Sequence, residues 1–142
     1  MKRKKKIASI SKGIPQSLSA LSFACRLTQR AARLGFDWPD LPEVLKKVDE
    51  ELEEFREALS LRDRKRIAQE FGDLLFVLVN VARFLRIDPE GALRETIRKF
   101  NSRFSFVETS LQRKGKSLRQ SNLDEMDRLW EMAKRRNTKR KG

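Results

Sequence analysis

Glu70-Phe71-Gly72-Asp73-Leu74-Leu75-Phe76-Val77-Leu78-Val79 is the stretch on which the fold turns. From Leu74 to Val79 it is apolar on every side, a pattern that suits a buried strand as well as a buried helix. Length separates the two. The segment runs from Arg64 to Leu85 without a breaker, roughly 22 residues, far too long for a strand, so it reads as a central, buried helix. Upstream, Leu45, Val48, Leu52, Phe55 and Leu59 recur at helical spacing and place an amphipathic helix over residues 42–60, joined to the central one by a short polar turn around Asp63. Ser17 is the candidate cap of a first helix that carries Leu18, Leu21, Cys25 and Thr28 on one face, reaches Leu34 and ends at Gly35. Phe36-Asp37-Trp38-Pro39-Asp40 then forms a loop. Downstream, Asp88-Pro89 opens a fourth helix with Leu93, Ile97, Phe100, Phe104 and Val107. A turn near Gly115 precedes a last helix, for which Asn122 and Glu125 have the spacing of a capping box and Leu123, Met126, Leu129, Trp130 and Ala133 the apolar positions. There is no strand pattern and no repeat. The fold class is all-α, a helical bundle.

The formal charge of +13, from 33 basic and 20 acidic residues, resembles a nucleic-acid binder until it is located. Eleven of the basic residues lie in 2–6 and 134–141, which contain no acid, so the body between them holds 22 basic against 20 acidic residues. The basicity therefore belongs to the two ends, read as solvated tails able to touch polyanions weakly. A single cysteine, Cys25, excludes an intrachain disulfide framework and fits a reducing compartment, and its apolar neighbours mark it as a structural thiol. The absence of histidine removes Ser-His-Asp and Cys-His mechanisms. No apolar run approaches the ~18 residues of a membrane span, and no signal-peptide core follows the basic start, so a cytoplasmic location is expected.

The chemistry concentrates in two acidic stretches. Glu50-Glu51-Leu52-Glu53-Glu54 lies on the second helix, and Glu70 and Asp73 lie near the start of the third. Glu51/Glu54 and Glu70/Asp73 are i, i+3 pairs, so each pair leaves its helix on one face. A tight turn makes the helices antiparallel neighbours, and the pairs can then offer four carboxylates to one small volume. Four such groups repel one another unless a cation lies between them or some are protonated. Hard oxygen donors suit magnesium, with manganese as a substitute, rather than zinc. Magnesium commonly takes further oxygens from phosphates, which points to phosphate chemistry. Acidic runs alone are often surface decoration. Asp73 is the harder residue to dismiss, since it sits against an apolar run, and Gly72 beside it implies a close approach. On the fourth helix Lys99 and Arg103 are i, i+4, two cations of the kind a triphosphate needs.

The run Gly35 to Asp40, then Lys47-Val48-Asp49-Glu50-Glu51-Leu52-Glu53-Glu54, then Glu70 to Phe76, is very similar to the MazG family of the all-α nucleoside triphosphate pyrophosphohydrolases, whose EExxE…ExxD signature it carries. The similarity continues through Val79-Asn80-Val81-Ala82-Arg83, Lys99 to Phe104 and Leu129-Trp130, covering about residues 14–135. The resemblance implies a single domain over residues 14–135, with basic tails at 1–13 (flexible) and 136–142. It implies that Glu51, Glu54, Glu70 and Asp73 bind magnesium and that Lys47, Glu50, Arg66, Lys99, Arg103 and Trp130 surround the nucleotide. Lys99 and Arg103 would hold phosphates, and Trp130 would pack on the base or close the pocket, its alternative being a core aromatic. The implied reaction is water attack at the α-phosphate of an NTP or dNTP with pyrophosphate as leaving group, Glu50 or one of the ligands orienting or deprotonating the water. Family members complete their helical cores from two subunits, so a homodimer or higher homo-oligomer is expected. Familiar members often carry two such domains in tandem, and this sequence looks most like the second, catalytically competent one.

Three other readings compete. A nucleic-acid-binding helical protein would use the basic tails but leaves the carboxylates unexplained. A catalytically weak regulatory module of the same family would not need all four presumed ligands. A relative restricted to dUTP or phosphoribosyl-ATP would use the same carboxylates, but the tryptophan–proline loop and Lys99/Arg103 favour MazG.

Overall fold

Capping chemistry sets where each helix begins. In the computed structural model, which describes residues 9–140 and the side chains of residues 9–136, five α-helices follow one another, with no strand among the described residues. The first, α1 (Ala20–Arg33), starts at Ser19, whose hydroxyl accepts from the Ser22 amide at 3.2 Å. Ser17 is not the cap, because the Leu18 amide bonds back to the Pro15 carbonyl and closes a turn over those residues first. At the other end the Gly35 amide reaches the Ala32 carbonyl and the Phe36 amide the Ala31 carbonyl, with Gly35 at φ +91°, a conformation glycine adopts without strain.

Asp40 caps α2 (Leu41–Leu61) through a 3.0 Å bond from the Glu43 amide, and Pro42 in the first turn gives up an amide that had no partner there. Arg62, at φ +55°, turns the chain, and Asp63 at once caps α3 (Arg64–Phe84) by accepting from the Lys65 and Arg66 amides. So short a link forces α2 and α3 to run antiparallel side by side. Val44 and Ala58 of α2 and Val77 and Val79 of α3 are buried, and α1 also packs on α3.

The apolar segment of α3 is helical, as its length requires, but it is not buried all round. Phe71, Leu75, Phe76 and Leu78 stay 43–50% exposed. A helix covered by α1 and α2 loses only the faces turned to them, so sequence apolarity overstates burial here.

Asn80 ties the N-terminal loop to this pair. It is 2% exposed; its amide donates to the Phe76 carbonyl at 3.3 Å, and its Oδ1 accepts from Arg83 at 2.9 Å. Arg83 in turn forks onto both Asp37 carboxylate oxygens, at 2.8 and 2.6 Å. Residues 9–13, assigned to the N-terminal tail from sequence, include a 3₁₀ turn at Ser9–Ser11, and Arg30 donates to the carbonyls of Ile10 and Lys12. Residues 1–8 lie outside the described residues.

The chain divides into two compact units, one up to Ala92 and one from Leu93. Helix α4 (Pro89–Arg113) begins where Asp88 accepts from the Glu90 amide at 3.2 Å. Within the second unit, Val107 and Leu111 of α4 and Leu129 of α5 (Leu123–Arg140) form a buried cluster, flanked by Leu118, Met126 and Trp130. Asn122 caps α5 by accepting from the Glu125 amide at 2.8 Å. The reciprocal half of the expected box is replaced: the Glu125 carboxylate takes the Ser121 hydroxyl at 2.5 Å and Lys116 at 3.4 Å. Helix α5 continues to Arg140, through most of the stretch read as the C-terminal tail.

The Asp37–Arg83 fork holds the Asp37 carboxyl below its ordinary value, the guanidinium hydrogen bonds being the main cause and the Trp38 amide adding to them. A depressed folded-state pKa means stabilisation that is present above the ordinary aspartate range and lost as pH falls through the lowered value. Carboxyl NMR should therefore find Asp37 titrating below the ordinary aspartate value. Asp37→Asn should cost about 1.5–3 kcal/mol at neutral pH in urea unfolding, the range for hydrogen bonds to charged groups.

Candidate metal centre

Antiparallel packing brings Glu51, at mid-α2, opposite the first turns of α3. One carboxylate oxygen from each of Glu51, Glu70 and Asp73 lies within 4.8 Å of the others. Glu51 is buried, Glu70 partly buried and Asp73 exposed. The sequence had singled out Asp73 as the buried carboxylate; that role falls to Glu51. Asp73 escapes burial because the apolar residues around it, Phe71 and Leu75, are themselves half exposed. Gly72 makes no close approach either, since a side-chain carbon built there would meet nothing within 4 Å.

Glu51 Oε2 and Glu70 Oε2 are both buried without a hydrogen-bond partner. A buried carboxylate oxygen in that condition costs on the order of 1–3 kcal/mol, more when charged, unless something supplies the missing positive partner. The other Glu51 oxygen is served by Lys47 Nζ at 3.3 Å, which also reaches Glu50 at 3.5 Å. This pairing, with Glu51 the larger contributor, raises the Lys47 pKa, so the lysine stays a cation throughout the neutral range. One lysine against three converging carboxylates leaves the cluster electron-rich. Oxygen donors alone, two of them orphaned and buried, fit magnesium or manganese.

The remaining expected residues are distributed as follows. Glu54, one turn beyond Glu51, is exposed and outside the three-oxygen group. Glu50 is exposed on the same helix, bound to Lys47. Arg66 sits in the first turn of α3 and pairs with Glu57 at 3.7 Å. Lys99, Arg103 and Trp130 belong to the second unit. There the Arg103 guanidinium lies 5.7 Å from the Trp130 ring centre, and Phe100 packs on the same ring at 5.4 Å. Arg103 Nε is buried and unpartnered. Trp130, partly buried against the Val107–Leu111–Leu129 cluster, thus serves as a core aromatic and as a seat for Arg103. Cys25 is partly buried, and burial first, then the Asp88 carboxylate, push its thiol pKa up, which suits a structural rather than a nucleophilic cysteine. Sequence reasoning missed the Asp37–Arg83–Asn80 clasp, whose members lie up to 46 positions apart without a pattern that pairs them.

The model of the MazG nucleotide pyrophosphohydrolase domain matches residues 41–107, which hold all of α2 and α3 and most of α4. The chain carries a MazG domain. It is 41% identical over 133 residues, 94% of this chain and 49% of the relative, to the nucleoside triphosphate pyrophosphohydrolase/pyrophosphatase MazG of Thermotoga maritima. It is 38% identical over 124 residues, 86% of this chain and 47% of the relative, to the nucleoside triphosphate pyrophosphohydrolase of Escherichia coli K12. A shorter stretch of 65 residues, 46% of this chain and 13% of the relative, is 52% identical to the uncharacterized protein YabN of Bacillus subtilis. The chain spans about half the length of the first two of these relatives. No helix among the described residues is long and apolar enough to cross a membrane.

If the converging carboxylates are strained by their own charge, Glu70→Gln should melt about 2–4 °C higher than the native chain in the presence of chelator. The same substitution should abolish the rise in melting temperature that magnesium or manganese produces in the native chain. An equal cation-induced rise in both proteins would contradict the assignment.

Proposed function

We propose that the chain is a magnesium-dependent nucleoside triphosphate pyrophosphohydrolase, converting an NTP or dNTP and water to the monophosphate and pyrophosphate. The observation that carries this reading is the convergence of Glu51, Glu70 and Asp73 with two buried, partnerless oxygens. The MazG domain, and relatives named as nucleoside triphosphate pyrophosphohydrolases, support it.

Glu51, Glu70 and Asp73, joined by Glu54, would hold the magnesium ion, which when bound supplies charge neutralisation for the phosphates and an acidified water. The chain's own residues do the rest. Lys47 fixes the Glu51 carboxylate through its 3.3 Å ion pair and keeps Glu50 beside the cluster. Glu50, or one of the ligand carboxylates, orients the attacking water and takes its proton. Attack at the α-phosphorus forms the new P–O bond as the bond to the pyrophosphate oxygen breaks. Lys99 and Arg103 would be the cations that neutralise charge on the leaving phosphates; the Arg103 guanidinium lies against the Trp130 ring. Arg66 supports the substrate from the first turn of α3.

The half-exposed apolar residues of α3 are covered, in this reading, by a second copy of the chain in a homodimer or higher oligomer. Large apolar side chains left half exposed along one helix favour such an interface. The site works in the cytoplasm, where magnesium and nucleotides are supplied together.

Pyrophosphate release from a panel of NTPs and dNTPs tests the proposal. The native protein should yield monophosphate and pyrophosphate in one-to-one ratio with magnesium and nothing with chelator. Glu54→Gln and Glu51→Gln should each lower kcat/KM at least about a hundredfold, some 2.7 kcal/mol of transition-state stabilisation. Lys99→Ala should lower kcat as well as raise KM, because the charge it neutralises grows as the leaving group departs. A folded native protein that releases no pyrophosphate from any nucleotide would refute the enzyme reading.

A further inference from the structure

Helix α4 presents Ser102, Phe106, Thr109 and Arg113 at spacings of four, three and four residues, so they form one stripe along it. Helix α5 contributes Ala133 and Arg136, and these residues line a groove of about 370 Å³ that lies wholly within the second unit. Hydroxyls make up much of the lining, with Ser105 and Ser110 joining Ser102 and Thr109. Thr109 donates to the Ser105 carbonyl at 2.9 Å; the three serine hydroxyls have no partner among the described residues. Arg103, Arg113 and Arg136 are the charged members, and none of the lining residues is acidic. Several arginines elsewhere are neutralised, since Arg56, Arg66, Arg83 and Arg98 each pair with a carboxylate. Among the described residues Arg103, Arg113 and Arg136 pair with none, and Arg136 instead lies over the Phe106 ring at 5.6 Å.

We infer that this groove binds the sugar–phosphate backbone of a single-stranded nucleic acid, a function that makes no use of the carboxylate cluster. The inference goes beyond the pyrophosphohydrolase reading and does not rest on it. Guanidinium groups and serine and threonine hydroxyls are the donors that phosphodiester oxygens take. Three cations without an acid among them call for an anion, and their spread says of what kind. Arg103 and Arg113 are ten residues apart, about 15 Å of helix rise, too far to share one phosphate but suited to successive phosphates of a strand. The basic run continues past the groove, because α5 stays helical through Lys134, Arg135 and Arg136 to Arg140. Residues 93–142 hold 15 basic against 6 acidic residues, a balance that draws in polyanions. An anionic membrane fits less well, since the one large apolar side chain in the groove, Phe106, is partly buried against Arg136. Arg103 already has a place in the proposed substrate machinery, so the cations that distinguish the groove are Arg113 and Arg136, both exposed.

Fluorescence anisotropy of a labelled oligouridylate of about 12 nucleotides tests the inference. The strand carries no terminal phosphate, and chelator is present so that the carboxylate cluster repels it. The native chain should bind, and more weakly as salt rises. Arg113→Glu and Arg136→Glu, each checked for an unchanged far-UV spectrum, should each bind about tenfold or more weaker and flatten the salt slope by roughly 0.7. Arg119→Glu makes the same charge change at an exposed position outside the groove and should stay within about twofold of the native chain. An oligothymidylate of equal length should give the same pattern, because the backbone and not the base is held. Pyrophosphate release from NTPs should be unchanged in Arg113→Glu. A native chain that does not bind the strand, or equal losses in all three variants, would overturn the inference. Displacement of the strand by inorganic tripolyphosphate at equal phosphate concentration would overturn it in favour of a small anion, and loss of pyrophosphate release in Arg113→Glu would overturn it in favour of the substrate.

Discussion

The antiparallel contact between α2 and α3 is the constraint from which the rest follows. Asp40 and Asp63 each cap a helix, Arg62 turns the chain between them, and the link is too short for any other arrangement. That geometry buries Glu51 against Glu70 and Asp73, where no isolated helix would tolerate it. The cluster is held by the packing of α2 on α3, whose buried residues include Val44, Ala58, Val77 and Val79, not by attraction among its own members, which repel. Local stability is thereby spent on a concentrated negative charge, as is usual at sites that bind cations.

Much of this was legible beforehand because the signals were local. Caps at Asp40, Asp63 and Asp88 place a specific acceptor just before a helix, and the i, i+3 spacing of Glu51/Glu54 and Glu70/Asp73 is a property of the helix alone. The central helix of 64–85 was identified by length, since no other element accommodates so long an apolar-centred run. The start of α1 was misplaced by two residues because two serines compete for the cap and only the turn at Pro15–Leu18 decides between them.

What the sequence could not supply was burial. An apolar run says that a helix can be covered, not by what, and so Phe71, Leu75 and Leu78 were expected inside and are half exposed. The same ignorance gave Asp73 the burial that belongs to Glu51, and gave Gly72 a neighbour it lacks. Long-range polar ties are equally silent: nothing about Asp37 or Arg83 alone announces that they form a fork, or that Asn80 beneath it is buried. Of the two sequence readings of Trp130, a core aromatic or a residue packed on the base, its contacts with Phe100 and the Val107–Leu111–Leu129 cluster carry the first.

The central claim is that the α2–α3 carboxylates form one cation site, and manganese-induced NMR line broadening tests it most directly. Substoichiometric manganese should broaden the amides around Glu51, Glu54, Glu70 and Asp73 first, and magnesium should reverse the effect by competition. Broadening spread evenly over the chain's other acidic residues, such as Glu108, Glu125 and Glu131, would contradict the account and reduce the cluster to surface charge.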